Sequence, residues 1–298
     1  MNGFGSLVKW FMKPFLSLCI LELGLMFTPI PDWWEAGVFD HYLCSTRVMN
    51  WVGWFFFDEY NSLGYRDSEW EKGGKKVAFL GDSRTFGLFV NERQTYASQI
   101  ENLSDWEGMN LGIPGATTFE ALDSMLPDAL EFSPQAVVLC LDLNSSLISF
   151  ITREDSGHRA DWGRHFIRSS NTWRFIEGAL HSAFSERQPV IIQKDYRDQL
   201  TDIFRTIELN NIDKKVLIVG WTPLKDFPNL YTQTRYDLYR DISREVALQH
   251  NAQIIDQKQL LDDLSLSEAY VGEHQIHLSA LAHKKMAAAV LKKLNAED

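Results

Sequence analysis

From Val77 onward the chain alternates short aliphatic runs with longer stretches whose apolar residues recur every three or four positions, and this alternation restricts the fold more than any other feature. Strands separated by helices pair in parallel, and strands buried on both faces read as continuous apolar runs. Five runs qualify: Val77 to Leu80, Gly108 to Leu111, Ala136 to Leu141, Val216 to Val219 and Gln253 to Ile255. Between and after them the spacing predicts helices over Tyr96 to Asn102, Thr118 to Glu131, Asp195 to Asn210, Tyr236 to His250 and Leu278 to Leu294. The expectation is an α/β domain over 77–298 with a five-stranded parallel sheet between helices. Residues 151–190 break the rhythm, mixing Arg153, His158, Arg159, Arg164, His165, Arg168 and Arg174 with Trp162, Phe166, Trp173 and Phe175. They read as an insertion after the third strand, either a solvated helical excursion or a lid for an anionic or amphipathic substrate.

Hydrophobic residues make up 45% and charged residues 23% of the 298, ordinary globular usage that excludes a disordered or multi-span membrane chain. The formal charge of −11, without a long single-sign run, argues against a nucleic-acid partner. Cys19, Cys44 and Cys140 form no CxxC pair, so neither a zinc module nor a disulfide scaffold is indicated.

The N-terminal third reads differently. Pro14 to Pro31 is apolar apart from Glu22 and, with Trp10 and Phe11 leading in, has about the length of a bilayer span. Lys9 and Lys13 precede it while Asp32, Glu35 and Asp40 follow, which places the N-terminus in the cytoplasm and the remainder outside. A cleaved signal peptide lacks a small-x-small site here, and a buried amphipathic helix is the other alternative. Trp33 to Tyr60 is rich in Trp, Phe and Tyr, as in an interfacial belt or a surface packed under the domain. The organisation expected is a stub and single-pass inner-membrane anchor over 1–31, an aromatic juxtamembrane linker over 32–76, and an extracytoplasmic domain over 77–298.

Four places at strand ends carry groups suited to acyl chemistry. Ser83 follows the first strand in Gly81-Asp82-Ser83, where open α/β sheets place ligands, although a Ser at a helix start also serves as an N-cap. Thr85 stands where the GxSxG elbow needs its second glycine, so an α/β-hydrolase elbow is disfavoured. Gly115 and Asn144 follow the second and third strands and offer N–H donors of the oxyanion-binding kind, with a turn glycine and a helix cap as their ordinary readings. His277 precedes the last helix, and a serine needs such a base to become a nucleophile. His274 and His277 have a spacing open to a metal, but no carboxylate or cysteine completes a ligand set; His283 reads as a helix-surface residue and Cys140 as a buried strand residue.

Taken in order, Gly81-Asp-Ser83, Gly115, Asn144 and His277 resemble the SGNH or GDSL hydrolase superfamily over residues 77 to about 291. Asn61-Ser-Leu-Gly-Tyr-Arg66 also looks like the lead-in of its membrane-anchored bacterial members. The resemblance implies a flavodoxin-like sheet, an acyl-enzyme on Ser83, His277 as base, an oxyanion hole from Ser83, Gly115 and Asn144, and no cofactor. Two positions depart from the pattern. The third block reads Asp142-Leu-Asn144-Ser145 without the usual glycine and aspartate, and His274 occupies the place of the orienting Asp. A neutral imidazole carries no charge to stabilise an imidazolium, so Glu273 or Asp256 is the alternative orienter, or the pair acts as a dyad. The function expected is an anchored serine esterase or O-acyltransferase acting on an acylated glycan or lipid. The rival is a catalytically degenerate binding or scaffold subunit, partnered in envelope polysaccharide assembly.

Overall fold

The computed structural model describes residues 60–146, 191–223, 233–271 and 276–296, together with the backbone of 148–149 and 188–189. The expected anchor, most of the aromatic linker, most of the 151–190 insertion, and Glu273 and His274 lie outside the described residues. No helix among the described residues is long and apolar enough to cross a membrane.

Each predicted strand is present. β1 (Lys76–Gly81), β2 (Glu107–Gly112) and β3 (Ala136–Cys140) are followed by the short β4 (Ile148–Ser149) and β5 (Gln188–Pro189), then β6 (Lys214–Val219) and β7 (Gln253–Asp256). The five long strands form one parallel sheet in the order β2-β1-β3-β6-β7. β1 is internal and buried along its whole length, which is why its sequence is apolar without a gap. β4 pairs antiparallel with β5, and β8 (Tyr270–Val271) with β9 (His277–Leu278).

The two-residue period of a strand divides the core into two layers. Ala78 and Leu80 face one side, where they meet Met125, Leu126, Leu200, Phe204, Tyr236 and Val246. Val77 and Phe79 face the other, against Tyr96, Ile100, Met286 and Val290. The first layer is covered by α6 (Gln193–Leu209) and α7 (Gln233–Gln249), the second by α2 (Tyr96–Leu103) and α10 (Ala280–Leu294). Full burial of an aliphatic or aromatic side chain of this kind contributes about 1.5 to 3 kcal/mol.

The stretch expected to be one helix from Thr118 is built as α3 (Thr118–Glu120), a π-turn over Ala121–Met125 and α4 (Leu126–Leu130). Pro127 supplies the cause: it lacks an N–H and its ring crowds the preceding turn, which a π-bulge relieves. The remaining short helices are α1 (Ser83–Phe86), α5 (Asp142–Ser145), α8 (Gln257–Leu260) and α9 (Leu266–Ala269).

Two expectations need correction. Tyr65 and Trp70, assigned to the linker, are buried in the first core layer, so the folded body begins before Val77. His283, expected on the helix surface, is wholly buried against α2, where its Nδ1 accepts the Tyr96 backbone N–H at 3.1 Å. Cys140 is buried at the end of β3, as expected.

Candidate active site

β1 delivers Ser83 to the carboxyl edge of the sheet. Asp82 caps α1, its carboxylate accepting the Arg84 backbone N–H at 2.9 Å, so Ser83 is the first helical residue and not the cap. A first-turn residue has no intrahelical acceptor for its own N–H, which leaves the Ser83 amide suited to an oxyanion. The turn is tight because residue 81 has no side chain: a Cβ there would lie 1.8 Å from Thr85 Oγ1 and 2.9 Å from the Cys140 carbonyl.

β9 brings His277 to the same place from the other end of the chain. Its Nε2 lies 3.0 Å from Ser83 Oγ. With the ring proton on Nδ1, Nε2 accepts the serine hydroxyl, the arrangement that removes a proton as oxygen attacks a carbonyl. Ser83 is only 9% exposed, whereas the imidazole is half-buried.

Gly115 and Asn144 reach this edge on neighbouring loops. Gly115 has φ +76°, a left-handed conformation that favours glycine. Asn144 lies inside α5 and so does not cap it; its Nδ2 donates to the Ala116 carbonyl at 3.2 Å, tying the third-strand loop to the second. Asp256, offered above as an alternative orienter, caps α8 through the Lys258 and Gln259 amides and binds Arg244 and Arg240. Among the described residues no three His, Cys, Asp or Glu side chains gather as metal ligands.

Several residues that support the site carried little signal in the sequence. Arg84 is fully buried; its Nη2 lies 2.7 Å from Asp82 and 2.8 Å from Asp142, and its Nη1 donates to the Tyr236 hydroxyl at 3.1 Å. Asp142 also accepts the Gly220 amide at 2.7 Å. The carboxylate that displaces the usual glycine of the third block is thus balanced by the residue after the serine. Arg66 donates to the carbonyls of Phe86, Gly87 and Val90 at 3.1, 2.8 and 2.8 Å, pinning the loop after α1. Its neighbour Asp67 accepts the Asn110 amide and the Trp70 indole, both at 2.8 Å. The lead-in that looked like a motif is therefore a clamp on the nucleophile loop.

Burial pushes Asp67 up to about 7, against the three N–H donors that favour its charge. Burial, with the neighbouring Arg66 and His277, lowers His283 to about 3. The two act oppositely on stability. A raised Asp67 adds stability present below its unfolded value near 4 and lost as pH rises toward 7; a depressed His283 adds stability present above about 6.5 and lost as pH falls. Between pH 4.5 and 6.5 each contributes a slope of about 1.4 kcal/mol per pH unit, of opposite sign. Urea unfolding of Asp67→Asn is expected to show stability climbing with pH relative to the wild type, and of His283→Leu falling. Parallel pH profiles for all three proteins would refute both shifts.

Known proteins agree with this geometry. A family model described as the GDSL-like lipase/acylhydrolase family matches residues 79–285. A lipase/acylhydrolase from Enterococcus faecalis superposes with a TM-score of 0.52 at 17% identity, covering 74% of this chain and 95% of its own. A putative lipolytic protein of the G-D-S-L family from Desulfitobacterium hafniense gives 0.52 at 16%, with 74% and 99% covered. The psychrotrophic esterase EstA from a Pseudoalteromonas species gives 0.51 at 15%, with 74% and 100% covered. At these identities the superpositions speak for the fold alone. No match is found among curated proteins. The family match spans most of the sequence and takes in both Ser83 and His277: the chain belongs to the GDSL-like lipase/acylhydrolase family.

Proposed function

We propose that the chain is a membrane-anchored, extracytoplasmic serine esterase or O-acyltransferase that works through an acyl-enzyme on Ser83. One observation carries the reading: Ser83 Oγ and His277 Nε2 stand 3.0 Å apart although 194 positions separate them. A degenerate binding subunit would have no need to keep a hydroxyl and an imidazole in contact, so the geometry favours catalysis over the scaffold reading.

Ser83 Oγ attacks the ester carbonyl carbon as His277 takes its proton, and the resulting oxyanion is held by the Ser83 and Gly115 amides and the Asn144 carboxamide. Collapse of the tetrahedral adduct breaks the bond to the alcohol, which leaves with the proton from His277. Water then completes hydrolysis, or a second alcohol completes transfer; the two outcomes share every step up to the acyl-enzyme. No cofactor takes part in this scheme. The anchor rests on the apolar stretch before Pro31 and on the lysines ahead of it, and an acylated glycan or lipid of the cell envelope is the substrate class that location suggests.

A fluorophosphonate probe is expected to label the wild-type protein on Ser83 and to leave Ser83→Ala unlabelled, with hydrolysis of short acyl esters lost in parallel. A wild-type protein that neither takes the probe nor cleaves any short ester overturns the proposal.

A further inference from the structure

We infer that the Phe89 ring is the wall on which the alcohol half of the ester lies, and that this alcohol is a sugar; the inference rests on the Ser83–His277 reaction proposed above. Phe89 is 67% exposed, a large apolar ring left outside the core. It stands edge-on to the His277 imidazole, ring centroids 5.1 Å apart at 76°. Its backbone has φ +70°, a conformation uncommon for a residue with a bulky side chain and one that persists only where the surroundings enforce it. Arg66 does the enforcing, since its guanidinium holds the carbonyls of Phe86, Gly87 and Val90 on both sides of Phe89. An exposed aromatic ring kept in place this way is a built surface.

The reaction geometry says which half of the substrate meets it. In the proposed reaction the carbonyl oxygen lies toward the oxyanion donors, while the departing alcohol oxygen must sit beside His277 Nε2 to receive its proton. A ring packed on that imidazole is therefore assigned to the alcohol side. The face of an aromatic ring suits a partner with a broad C–H surface and hydroxyls at its rim, which describes a pyranose. A simple alkyl alcohol is too small to use it.

Acetate esters that differ only in the alcohol test this. Ethyl acetate and a mono-O-acetylated methyl glycoside are compared on the full chain, beside ethyl butyrate and ethyl octanoate, which vary the acyl side. For Phe89→Ala, the ratio of kcat/KM on the glycoside to that on ethyl acetate is expected to fall about tenfold, through the KM of the glycoside, with the preference among ethyl esters unaltered. Phe89→Trp should retain glycoside activity. Phe89→Gly should repeat the glycoside loss without lowering Tm, because glycine accepts the positive φ. A glycoside-to-ethyl acetate ratio that stays unchanged, or a loss that tracks acyl length, overturns the inference while leaving the esterase intact. A wild-type protein inert toward all four esters and the fluorophosphonate overturns the esterase reading itself.

Discussion

A His274→Asp variant is expected to turn over small acyl esters up to about 10⁴-fold faster than the wild type. The reason is electrostatic. In a serine triad the orienting carboxylate fixes the imidazole tautomer and stabilises the imidazolium, and its loss costs on the order of 10⁴ in rate. His274 stands three positions before His277, where the resemblance to SGNH hydrolases leads one to expect that carboxylate, and a neutral ring supplies hydrogen bonding without charge. The same arithmetic sets a second expectation. A full triad loses roughly 10⁶ when its base is removed, so a site already lacking 10⁴ has only about 10² left to lose in His277→Ala. Single-turnover kinetics on one short ester measures both. If His274→Asp gains nothing and Glu273→Gln slows the reaction by about 10⁴, the charge belongs to Glu273.

Arg84→Met is expected to destabilise the fold by about 3 to 5 kcal/mol, read as a lower urea midpoint and a Tm reduced by on the order of 10 °C. Among the described residues Arg84 is the cation that pairs with both Asp82 and Asp142, with all three side chains buried, so its removal strands two carboxylates away from water. Asp142→Asn leaves one carboxylate against one guanidinium and keeps an oxygen for the Gly220 amide, so about 1 to 2 kcal/mol is expected there. The double variant should be less destabilised than the sum of the two. Strict additivity would show that the three groups do not act as one unit.

The strands were legible because burial on both faces imposes an unbroken apolar run, and β1 is the clearest case. The candidate site residues were legible for a different reason: Ser83, Gly115 and Asn144 sit just past strands of the sheet, and His277 just ahead of a long helix. The supporting pairs were not. Arg84 and Asp142 are 58 positions apart, and nothing local in either segment announces that one neutralises the other. His283 misled because lysines follow it, yet its spacing to Met286, Ala287 and Val290 is that of the buried face of α10, a signal the adjacent charges obscured. The lead-in from Asn61 to Asp67 stood out as a pattern, but its hold on the loop after α1 appears only when side-chain hydrogen bonds to distant carbonyls are seen.

The long separation of Ser83 from His277 in the sequence bears, under the proposed mechanism, on when reactivity is acquired during synthesis. Ser83 is synthesised 194 residues before its imidazole partner, which stands on a two-stranded ribbon just ahead of α10. A growing polypeptide therefore carries an inert alcohol for most of its synthesis, since an unassisted serine is a weak nucleophile. Reactivity then arrives only once His277 has been made, so a product truncated before position 277 is expected to be silent toward esters however well its earlier strands have paired.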